Sequence, residues 1–126
     1  MVIWMLAAIA VYYAGVFLPA LFLIPQIGVA AYAGHRDVEP EPGLIHARAL
    51  RAQRNLAENL PVFLGLALLS LVLPEADISL AVTGAAVFVL ARVVYLPLYL
   101  MAVPYLRSLV YGVGLTGQIV MALALL

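Results

Sequence analysis

Arg48-Ala-Leu-Arg-Ala-Gln-Arg-Asn-Leu-Ala-Glu58 opens a long apolar segment that spans residues 44–73. Three arginines, an asparagine and a glutamate therefore sit on a helix that enters a membrane. Ionisable groups at membrane depth cost several kcal/mol unless paired or solvated, so by default they mark a site.

The surrounding composition sets the class. The chain has 126 residues, of which 67% are hydrophobic and 10% charged, with a mean hydropathy of +1.18. A soluble domain carries about 25% charged residues. Apolar stretches cover residues 2–33, 44–73, 78–103 and 106–126, each at least the ~20 residues a transmembrane helix needs. The expectation is a single four-span transmembrane domain over residues 1–126. With no net charge and no lysine, no nucleic-acid partner is expected. Cysteine is absent, which excludes disulfides and a protein thiol nucleophile, so sulfur chemistry must come from a ligand. No metal site is expected. The first apolar run lacks a basic leader and is too long for a signal peptide, so it is expected to be retained.

Punctuation follows from proline and glycine. Pro19 and Pro25 are expected to kink or divide the first span, which ends at Gly34. His35-Arg-Asp-Val-Glu-Pro-Glu-Pro-Gly43 is the one substantial polar loop. Pro97 and Pro104 are expected to bend and then end the third span. Arginine placement orients the whole. Arg36, Arg48, Arg51, Arg54, Arg92 and Arg107 fall at one side, taken as cytoplasmic, and the acidic turn with Glu75 and Asp77 at the other. Both termini then face outward.

Helical geometry tests whether the polar groups converge. Relative to Arg51, Asn55 falls at about 40°, Glu58 at about 340°, Arg48 at about 60° and Arg54 at about 300°. Gln53 points nearly the opposite way. Arg92, Tyr95 and Tyr99 form one stripe in the third span, and Arg107, Tyr111, Gly114 and Gln118 another in the fourth. Arginines at helix ends also snorkel to headgroups, and interfacial tyrosines form aromatic belts. Glu58 lies about 22 Å along its helix, so it needs a partner, which Arg54 or Arg51 can supply. The pairing is either a structural ion pair or part of a site. Surplus arginine then suits an anionic ligand with carboxylates.

Arg51-Ala-Gln-Arg-Asn-Leu-Ala-Glu58, followed by Pro61 and Phe63, resembles the second-helix signature of the MAPEG superfamily, the membrane-associated proteins of eicosanoid and glutathione metabolism. The resemblance continues through Arg92-Val-Val-Tyr95 with Tyr99 and Arg107-Ser-Leu-Val-Tyr111, over all four spans, and the compact chain is similar to bacterial-type members. It implies an all-α, left-handed four-helix bundle assembled as a homotrimer in the bacterial inner membrane. It also implies glutathione as cofactor, bound between subunits, and a lipophilic substrate arriving from the lipid. Arg51, Asn55 and Glu58 would hold the backbone and charged ends of glutathione, with Arg54 and Tyr111 in the same set. Tyr95 and Tyr99 would add hydrogen bonds. Gln53 would serve the neighbouring subunit, and Arg107 would be the catalytic residue that stabilises the thiolate. Asn59 stands where the leukotriene synthase branch has tyrosine, and Arg107 follows Tyr99 by one residue more than in that branch.

Three functions are compatible with these residues. One is a glutathione-dependent transferase or peroxidase acting on lipophilic electrophiles or hydroperoxides. Another is a non-catalytic accessory or scaffold subunit of a larger membrane complex, whose small-residue faces at Gly112, Gly114 and Gly117 allow close helix packing. The third is binding of another anionic amphiphile, such as a lipid headgroup or a different small thiol.

Overall fold

A bilayer admits only chains whose backbone polar groups are satisfied internally, so apolar runs of this length must be helical. The computed structural model describes residues 1–35 and 43–126. The expectations for Arg36 and the acidic loop fall outside the described residues. The elements are α1 (Val2–Ile27), α2 (Val29–Ala33), α3 (Leu44–Val72), α4 (Ile78–Leu100) and α5 (Pro104–Leu123), with no strand among the described residues. Of these, α1, α3, α4 and α5 are long and apolar enough to cross a membrane. The protein is an integral, multi-pass, all-helical bundle.

The first span divides at a glycine rather than at its prolines. Helix α1 runs unbroken through Pro19 and Pro25. Pro25 sits in the final turn, where the chain is about to leave the helix in any case. The division falls at Gly28, whose φ of 81° belongs to the left-handed region that favours glycine. The Gly28 amide closes α1 on the Ile24 carbonyl at 2.8 Å, and its own carbonyl accepts from Tyr32 at 3.0 Å to start α2. The Pro19 carbonyl bonds His46 Nδ1 at 2.9 Å, which gives this buried ring a partner and ties α1 to α3.

Pro104 also has a different role from the one expected. Helix α4 ends at Leu100, and Pro104 is the first residue of α5, where its missing N–H costs nothing. Between them the chain makes a Schellman turn. The Val103 amide bonds the Leu98 carbonyl at 3.1 Å, and the Ala102 amide bonds the Tyr99 carbonyl at 3.2 Å. Ala102 occupies the left-handed position of that motif at φ 57°, a place usually taken by glycine. Arg107 therefore lies one turn inside α5.

Packing is densest around α4. The core gathers Ala8, Leu60, Phe63, Phe88 and Met121, with Phe63 and Phe88 stacked at 4.6 Å between ring centroids. Helices α4 and α5 touch backbone to backbone at Gly84 and Gly117. A Cβ on Gly84 would lie 2.6 Å from the Gly117 carbonyl oxygen, and one on Gly117 would lie 2.8 Å from the Phe88 amide nitrogen. At the end bearing the acidic turn, Asp77 Oδ1 caps α4 by accepting from the Leu80 amide at 3.0 Å. The Asp77 amide binds the Ala124 carbonyl at 2.8 Å, which fastens the turn to the chain's C-terminal end.

Candidate functional site

At the opposite end the bundle opens. Asn55 from α3, Tyr95 and Tyr99 from α4, and Arg107, Ser108 and Tyr111 from α5 line a cleft of about 220 Å³. The two polar stripes expected on the third and fourth spans do meet. Tyr95 packs edge-on to Tyr99 at 5.6 Å and lies 6.3 Å from Tyr111. The Arg107 guanidinium sits 4.4 Å from the Tyr99 ring centroid, so a cation–π contact holds it at the wall of the cleft. Gln118, two turns below Tyr111, donates to the Asn59 carbonyl at 3.0 Å and links α5 to α3.

The polar face of α3 behaves differently. Its buried residues include Ala49, Ala52, Leu56, Leu60 and Phe63, a stripe centred about 140° from Arg51. Arg51, Arg54 and Glu58 consequently point away from the bundle and are exposed on the single chain. The ion pair expected of Glu58 with Arg54 or Arg51 is not among those formed by the described residues. The three side chains share an open face where nothing holds them together. Asn55 and Arg48 stand at the edge of that sector and reach α4. Arg48 Nη1 donates to the Leu100 carbonyl at 3.2 Å, across the C-terminus of α4. Gln53 is half-buried on another flank of α3 and does not line the cleft.

The MAPEG family model matches residues 1–126, the whole chain. The chain belongs to the MAPEG family. No curated protein and no solved structure matches it. Membership places this MAPEG protein, at the level of the family, among membrane proteins of glutathione-related metabolism.

Two residues at the cleft of this MAPEG protein carried no assigned role in the sequence. Ser108 lines the cleft, although its hydroxyl donates to the Pro104 carbonyl at 3.0 Å. Arg92 lies beneath the cleft and is 3% exposed. It is central to the arrangement. Its Nη1 donates to Asn55 Oδ1 at 3.0 Å. Its guanidinium carbon lies 5.0 Å from the Phe88 ring, 5.1 Å from that of Tyr111 and 5.5 Å from that of Tyr95. Arg92 Nε and Nη2 are buried without a hydrogen-bond partner. The signal was present in the sequence, since Arg92, Tyr95 and Tyr99 share a helix face. Its burial depends on contacts with α3 and α5 that no single helix discloses.

Proposed function

We propose that this protein is a glutathione-dependent transferase or peroxidase of the membrane, acting on lipophilic electrophiles or hydroperoxides. The observation that carries the reading is the convergence of Asn55, Tyr95, Tyr99, Tyr111 and Arg107 on one cleft in an otherwise apolar bundle. The donor set fits the group. Amide, phenol and guanidinium N–H and O–H groups suit the carboxylates, amide carbonyls and sulfur of a small acidic peptide.

Glutathione, when bound, supplies the thiol that a chain without cysteine lacks. A thiol of pKa near ~8.5 is mostly protonated at neutral pH, and only its thiolate attacks efficiently. Arg107 contributes positive charge and N–H donors at the cleft wall, which favour the ionised sulfur. The tyrosines orient the ligand and, with the surrounding lipid, limit water.

Cleft size and the outward face of α3 support a homotrimer with sites between subunits. At about 220 Å³ the cleft falls below the ~300–1,000 Å³ of ordinary small-molecule sites. Arg51, Arg54 and Glu58, exposed on one chain, would gain partners from a second copy and could complete the ligand's binding from there. Gln53 would serve a neighbour in the same way. In this reading the arginine-bearing end faces the cytoplasm and both termini face outward.

A second reading rests on the same two features. A small cleft with three α3 charges turned away from it also suits a non-catalytic accessory subunit, whose charged face docks a different membrane protein. Calorimetry of the detergent-solubilised protein with glutathione, read alongside the ultraviolet thiolate band, separates the two. Saturable binding with a thiolate signal supports the enzyme. No binding at millimolar glutathione removes it in favour of the accessory subunit.

A further inference from the structure

Arg92 is a buried cation whose described surroundings contain no carboxylate. One guanidinium nitrogen, Nη1, donates to Asn55, the other two have no partner, and three aromatic rings enclose the guanidinium. A bare structural ion in that position is costly, so what it accomplishes must be sought in its neighbours. Three of the residues it touches, Asn55, Tyr95 and Tyr111, also line the cleft.

The chemistry of the Asn55 contact is one-sided. A guanidinium carries donors and no acceptor, whereas an asparagine amide carries both. Only Oδ1 of Asn55 can face Arg92, so Nδ2 is left for the cleft. A side chain that by itself could either donate or accept thus becomes a donor. Arg107 at the opposite wall is likewise donor-only. Gly114 also borders Arg92, where an added Cβ would lie 3.6 Å from Nη2.

We infer that Arg92 is a positioning residue that locks the Asn55 amide with its N–H groups toward the cleft, making the site selective for ligand atoms that accept hydrogen bonds. The ligand part of this inference rests on the proposed glutathione reading. The amide lock itself does not.

The test combines calorimetry with nuclear magnetic resonance of the intact protein in detergent, labelled with ¹⁵N-asparagine. Asn55 and Asn59 are the two asparagines of the chain, so the side-chain amide of Asn59 serves as an internal control. Arg92→Met is expected to weaken glutathione binding about tenfold to a hundredfold, the range for loss of a hydrogen bond to a charged group. It should also shift the Asn55 amide protons toward an averaged, faster-exchanging pair while Asn59 moves little. Arg92→Lys, also donor-only, should restore most of both. Asn55→Asp keeps a partner for Arg92 but turns an acceptor to the cleft, and should lose binding to a similar extent.

Unchanged Asn55 signals in Arg92→Met overturn the inference, as does binding within twofold of wild type. If wild type binds no glutathione, the proposed function falls and the amide signals alone decide the lock. A shift confined to Asn55 and reversed in Arg92→Lys upholds it, and equal signals reject it. If Arg92→Met fails to fold, Asn55→Asp decides, because binding within twofold of wild type in that variant also rejects it.

Discussion

The two ends of this bundle are built on opposite plans. From the acidic turn to mid-bundle, helices meet through alanine, glycine and stacked phenylalanines, and the Asp77 amide binds the Ala124 carbonyl. At the arginine end the same helices separate around tyrosines, amides and guanidinium groups that leave a cleft. In lipid there is little hydrophobic drive between helices, so close van der Waals contact must supply the association. The sealed end provides that contact. The open end can then carry polar groups that would weaken packing anywhere else.

If this division holds, damage at the sealed end lowers stability, and damage at the open end changes chemistry first. The largest effect is expected from Phe88→Ala, which removes half of the ring stack in the fully buried core. It should cost about 3–5 kcal/mol, read by denaturant or thermal unfolding in detergent. Next comes Arg107→Ala. Thiolate-dependent turnover of a lipophilic electrophile should fall about 10²–10³-fold, with the melting temperature little changed. A large loss of stability instead would break the comparison.

Gly117→Ala should cost about 1–3 kcal/mol, because the new methyl group meets backbone that cannot step aside. Unfolding of the purified variant measures it. Asp77→Ala removes the cap of α4 and should cost about 1 kcal/mol, visible as faster amide exchange at the start of that helix. The smallest effect has the opposite sign. Ala102→Gly relieves a left-handed alanine and should raise stability by about 0.5–1 kcal/mol. No gain would mean that the turn between α4 and α5 is held by its neighbours rather than by its own conformation.

The four spans were legible because apolar length alone reports them. The convergence of Tyr95, Tyr99, Arg107 and Tyr111 was legible too, since each stripe faces inward from its own helix. On α3 the same angular reasoning put Arg51, Asn55 and Glu58 in one sector, yet it could not say that Asn55 at its edge reaches the cleft while Arg51 and Glu58 face away. That depends on where Leu56 and Phe63 pack, which is a property of the other helices. Arg92 was visible as a motif residue while its role was hidden, because the role arises from Asn55 and Tyr111 on two further helices. The break at Gly28 was missed for a local reason. Two prolines were the louder signal, but α1 runs through both, Pro25 in its last turn, whereas the positive φ of Gly28 ends the helix.

The contact between Gly84 and Gly117 makes a fulcrum. It brings backbone against backbone, so any side chain added there would have to tilt α5 against α4. Arg107 lies ten residues from Gly117, about 15 Å along the axis. A tilt of about four degrees would therefore carry the guanidinium through about 1 Å, a displacement that costs on the order of a hundredfold in rate when it misplaces a group at a reacting centre. Two residues without side chains, remote from any chemistry, thereby set the tolerance to which the arginine at the far end is held.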